Sequence, residues 1–151
     1  MRNTARIVTL LALGLALAFI LAPATISGQA KPDSLYKRLG GYDAIAAVVD
    51  DFVPRLVKDP ALAKYFVHSQ DTLTHIRQLA VDQICAATGG PCVYIGRDMK
   101  TAHKGLGITS GEWDAAVKHL VEVLDHFKVA AAEKEELLKV VGSLRADIVE
   151  K

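Results

Sequence analysis

Runs of one charge are missing from this 151-residue chain, and so are internal repeats, low-complexity linkers and alternating stretches that would read as strands. Lysine and arginine number 18 against 17 acidic residues, with no basic block, which leaves no electrostatic footprint for nucleic acid. No serine or thiol has an obvious base partner nearby, so nothing points to a hydrolytic triad. Cysteine is scarce too. The two present, Cys85 and Cys92, do not have the spacing of a Cys-x-x-Cys-His attachment motif.

One long hydrophobic run does occur. Positions 7–22 form an apolar stretch of roughly 16 residues behind Arg2 and Arg6, the size of a secretory signal core. Small residues follow and end at Ala30, a plausible cleavage point before Lys31. The chain therefore divides into a signal peptide, 1–30, and one small domain, 31–151. An exported, periplasmic protein is the expectation. The alternative is an uncleaved anchor, although the run is short against the roughly 20 residues of a full span. No cysteine near the cleavage region offers a lipid attachment site. Cleavage takes Arg2 and Arg6 from the 18 basic residues, leaving 16 against 17 acidic ones. A near-neutral domain of this kind suggests a small molecule or cofactor as partner. In an oxidising compartment Cys85 and Cys92 are expected to pair across the Gly-Gly-Pro reversal, for roughly 2–3 kcal/mol on the chain-entropy estimate. One buried and one exposed free thiol is the alternative.

The rest of the pattern is helical. Ser34 can cap a short helix over 35–39 that Gly40 and Gly41 terminate. From Tyr42 to Val57, the residues Ile45, Val48, Val49, Phe52, Val53 and Leu56 fall on one stripe, with Pro54 expected to kink the helix or shorten its last turn. Asp59 and Pro60 open a short helix ending at Tyr65 and Phe66. Asp71 or Thr72 caps the next, which carries Leu73, Ile76, Leu79, Ala80 and Ile84. Thr109 or Ser110 starts a long helix through Phe127, and a last one is expected from about Ala132 to Val149. The class is all-α, with about 60 % or more of the domain helical against the usual third.

Between the helix stop at Gly89-Gly90-Pro91 and Gly107 lies a single histidine, His103, on a segment too short to be a good helix alone. One imidazole held between apolar helices suggests an axial ligand to a flat iron cofactor. An ordinary surface histidine is the alternative.

Leu35-Tyr36-Lys37-Arg38-Leu39-Gly40-Gly41, the Phe52 helix, Tyr65-Phe66, Gly89-Gly90-Pro91 and Met99-Lys100-Thr101-Ala102-His103-Lys104-Gly105 together resemble the group 1 truncated haemoglobins, from about Ser34 to Ile148. The resemblance implies a two-over-two helical sandwich around haem b. It maps the proximal iron ligand onto His103 and the haem-packing phenylalanine onto Phe66. Met99, one turn before His103, is placed to pack on the proximal side. Glycines beside that segment would let the backbone leave the helix and approach the cofactor. Tyr94, Arg97 and Lys100 form a polar rim suited to the two propionates.

This sequence departs from its relatives on the ligand side. Many of them place a tyrosine after the phenylalanine of the second helix, where it hydrogen-bonds the ligand; here that position is Val53. Counted back from the glycine pair, Ile76, Leu79 and Ala80 face the ligand where relatives often carry glutamine. A one-residue shift across the loop at 68–71 would instead turn His75 inward. Loss of a charge-assisted hydrogen bond of roughly 1.5–3 kcal/mol weakens oxygen retention about ten- to a hundredfold. The implied function is reversible binding of a diatomic gas (oxygen, nitric oxide or carbon monoxide) with fast exchange. An enzymatic version would oxidise nitric oxide or act as a weak peroxidase, and needs an unknown reductase. Two rivals are a six-coordinate electron-transfer protein using His103 and His75, and a haem-free helical interaction module. His119 reads as a packed structural histidine; His126 and His68 read as solvated.

Overall fold

The computed structural model describes residues 32–67 and 72–151; the segment expected to be a signal peptide, 1–30, and His68 lie outside the described residues. Eight helices are described: α1 Leu35–Arg38, α2 Gly41–Lys58, α3 Lys64–Val67, α4 Leu73–Ala87, α5 Met99–His103, α6 Ser110–His126, α7 Ala131–Gly142 and α8 Arg145–Ile148. No strand occurs among the described residues, and none of their helices is long and apolar enough to cross a membrane.

Helix α2 organises the domain because its apolar stripe is wide enough to serve two neighbours. Val48 joins Leu120, Val123 and Leu124 of α6 and Leu137 of α7 in one core. Ile45, Val49 and Val53 meet Val81 and Cys85 of α4 in a second. The pair α2–α4 thus lies over the pair α6–α7, the two-over-two sandwich. Each side chain fully removed from water, such as Val49, Val81 and Val123, contributes about 1.5–3 kcal/mol.

Local chemistry sets most of the boundaries. Ser34, Thr72 and Asp98 cap α1, α4 and α5 by accepting backbone N–H groups of Lys37, His75 and Thr101. Thr109 and Glu112 form a reciprocal capping box at the start of α6. Three expectations change. Pro54 does not shorten α2, which runs on to Lys58; packing of α2 between α4 and α6 outweighs the lost backbone bond. The helix expected from Asp59 is mostly a turn: Asp59 O accepts from the N–H groups of Leu62 and Ala63, and only Lys64–Val67 is α-helical. The last helix is broken after Gly142, where the Ser143 hydroxyl donates to Val140 O at 2.6 Å and competes with the helical ladder.

The reversal after α4 depends on glycine. Gly89 has φ +84, and a Cβ on Gly90 would stand 2.5 Å from Tyr36 and 2.6 Å from Cys85 Sγ. This close turn brings Cys92 back to Cys85, and the two are paired with Cα atoms 5.8 Å apart.

Candidate functional site

Between the two helix pairs lies a cavity of about 380 Å³. α2 contributes Phe52 and Leu56, and α4 contributes Ile76, Leu79, Ala80 and Gln83. α5 contributes Met99, Ala102 and His103, and α3 contributes Tyr65 and Phe66. α6 contributes Trp113, Ala116, Val117 and Leu120, and the segment before α5 adds half-buried Tyr94 and exposed Arg97. The walls are predominantly apolar, as expected of a pocket for a flat hydrophobic group.

His103 is the imidazole in this lining, and its tautomer follows from its neighbour. Its Nδ1 lies 2.8 Å from Met99 O. A carbonyl only accepts, so Nδ1 carries a proton, and in the neutral ring that leaves the lone pair on Nε2. A backbone acceptor on one ring nitrogen is the arrangement that orients a ligating imidazole. No cluster of three His, Cys, Asp or Glu side chains able to hold a bare metal ion occurs among the described residues. Iron at this site would bring its remaining donors with it in a macrocycle, and the single imidazole and apolar walls fit such a group.

Nine of the residues expected at the site line this one cavity: Phe52, Phe66, Ile76, Leu79, Ala80, Tyr94, Arg97, Met99 and His103. Val53 does not; it is buried in the α2–α4 core beside Val49 and Val81. Lys100 is exposed and likewise outside the lining. His75 is exposed while its neighbour Ile76 lines the cavity. His119 is partly buried with Nε2 2.8 Å from Asp59 Oδ2, and exposed His126 has Nδ1 3.0 Å from Asp51 Oδ2.

Other lining residues had no site role in the sequence reading, among them Gln83, Tyr65, Glu112 and Trp113. Gln83 continues the face of Ile76, Leu79 and Ala80 one turn further, and helical periodicity could have found it. The Glu112 cluster joins distant segments. Tyr65 Oη donates to Glu112 Oε2 at 2.8 Å, as do Thr109 N and Oγ1 at 2.8 and 2.7 Å, while Lys64 pairs with Oε1. Lys64 first, then the Thr109 amide and hydroxyl and Tyr65, hold the Glu112 carboxyl down to about 2. Burial, followed by that carboxylate, pushes the Tyr65 phenol up.

Comparison with known proteins agrees with this geometry. The family model described as bacterial-like globin matches residues 34–150. The group 1 truncated haemoglobin of Mycolicibacterium paratuberculosis is 32% identical over 120 residues, covering 80% of this chain and 87% of that protein. The Fe(III) crystal structure of the Tetrahymena pyriformis truncated haemoglobin superposes with TM-score 0.73 at 28% identity, over 79% of this chain and 100% of that one. The 2/2 haemoglobin of a Synechococcus species, in the cyanomet state with covalently attached haem, gives TM-score 0.72 at 28% identity, over 79% and 100% of the two chains. The chain belongs to the group 1 truncated haemoglobins within the bacterial-like globin family.

Proposed function

We propose that the domain binds haem b, with His103 as the axial ligand of its iron, and reversibly binds a diatomic gas on the α4 side of the cavity. Haem b as cofactor follows from family membership. The observation that carries the axial assignment is the Met99 O contact, which leaves His103 Nε2 as the coordinating nitrogen in the cavity wall. When bound, the haem supplies an open iron coordination position for oxygen, nitric oxide or carbon monoxide.

The chain's own residues divide the remaining work. Phe52, Phe66 and Trp113 exclude water and present apolar area to the ring. Arg97, exposed at the edge, is placed for a propionate, and Lys100 stands outside the lining. Ile76, Leu79 and Ala80 make the gas side apolar and leave Gln83 as the one amide on that face of α4. This pocket suits rapid gas exchange better than storage. Turnover as a nitric oxide dioxygenase or weak peroxidase requires an electron donor, which is a further proposal. The six-coordinate electron-transfer reading would need His75 inward, and it is exposed. The hydrophobic leader and the paired cysteines support export with cleavage after Ala30; N-terminal sequencing of protein from the periplasm tests that.

Haem titration is the direct test. A Soret band saturating at one haem per chain and a five-coordinate ferrous spectrum are the expected results. His103→Ala should abolish stable haem retention. Unchanged retention in that variant would refute the assignment.

A further inference from the structure

We propose that Glu150 is a positioning residue for His103, acting through the two left-handed glycine turns that follow the histidine. The inference deepens the reading in which His103 holds the iron and rests on it.

Helix α5 has only five residues, too few to hold a ligand in place by helical cooperativity. Its continuation is fixed from outside. Gly105 has φ +81 and Gly107 φ +64, and a Cβ at Gly105 would meet nothing within 4 Å. Glycine is therefore required there by backbone conformation, not by crowding. Those two turns aim two N–H groups at one carboxylate: Gly105 N donates to Glu150 Oε1 at 2.8 Å and Gly107 N to Oε2 at 2.5 Å. Backbone amides converging on an anion form a nest, and such charge-assisted bonds are roughly twice as strong as neutral ones.

The clasp is completed on both sides. Leu106 N donates to His103 O at 3.2 Å, within the turn that Glu150 closes. Beyond it, Glu150 N and Lys151 N donate to Ile108 O at 2.9 and 3.2 Å, and Ser110 N donates to Lys151 O at 3.0 Å. Helix α8, just before Glu150, packs on α5. The imidazole is thus set by two restraints, Met99 O on its ring and Glu150 on the backbone that follows. Glu150 is not itself among the residues that line the cavity; it controls where the ring sits.

Glu150→Ala and Glu150→Gln are compared with wild type after haem reconstitution, by resonance Raman of the ferrous iron–imidazole stretch and by haem transfer to excess apomyoglobin. Glu150→Ala should shift or broaden the stretching band and release haem about tenfold faster, as for other residues that orient a metal ligand. Glu150→Gln keeps the shape and one acceptor oxygen, so it should fall between; it also carries the test if the alanine variant does not fold. A lower melting temperature with the band and haem release unchanged would make Glu150 a mere surface fastener and overturn the proposal. Wild type that takes up no haem would defeat the reading of His103 as well. Normal wild-type spectra with identical variants would defeat only the role of Glu150.

Discussion

Adjacent residues on a helix point about 100° apart, and this decides which side chains reach the cavity. Phe52 lines it, so Val53 turns into the α2–α4 core. Met99 and His103, four apart, share one face of α5, while Lys100 falls off it. The stripe Ile76, Leu79, Ala80 was legible because the Gly89-Gly90 stop fixes the count backward through α4. Its last member, Gln83, has an amide that makes no hydrogen bond among the described residues. Replacing it tests whether it reaches a bound gas. Gln83→Leu is expected to raise the oxygen dissociation rate about tenfold, the loss of one hydrogen bond of roughly 1.5 kcal/mol, with carbon monoxide release changed less. Equal rates in stopped-flow measurements would exclude the contact.

Among the elements, helix existence and capping could be read from local sequence, because Ser34, Thr72 and Thr109 act within three residues of themselves. What could not be read depends on partners far along the chain. The Tyr65–Glu112 bond spans 47 positions and ties α3 to the start of α6. Glu112, at about 2 in the folded chain against an ordinary 4.5, contributes stability that is complete above about pH 4.5. That contribution is lost as pH falls toward 2. Asp51, held to about 2 by Arg55 and then His126, adds to the same slope below its ordinary 3.8. Urea unfolding of wild type should therefore weaken steeply from pH 5 to pH 3. Glu112→Gln should be less stable at pH 7 and show a shallower slope. A variant slope equal to wild type would show that the cluster does not set the acid response. Tyr65→Phe removes one of the three donors to Glu112 Oε2 and should cost about 1 kcal/mol at neutral pH.

At the scale of the whole molecule, the two-over-two sandwich follows from α2 having two apolar faces, a property its sequence displays as the paired positions Val48–Val49 and Phe52–Val53. Which neighbour each face meets was not visible, since α4 and α6 carry similar stripes. The Cys85–Cys92 link adds a covalent tie between the end of α4 and the loop that carries Tyr94. Cys92→Ala should lower unfolding free energy by about 2–3 kcal/mol, and unreduced protein should show no free thiol by colorimetric titration. That tie would also order events in the protein's maturation. Until it closes, one margin of the porphyrin slot hangs from an unfastened loop. A newly made, still reduced chain would then be a poor scavenger of cofactor, becoming competent only once oxidised. The oxidant would act as a gatekeeper for loading, and thiol-blocked protein should lag behind its oxidised counterpart when both compete for scarce haem.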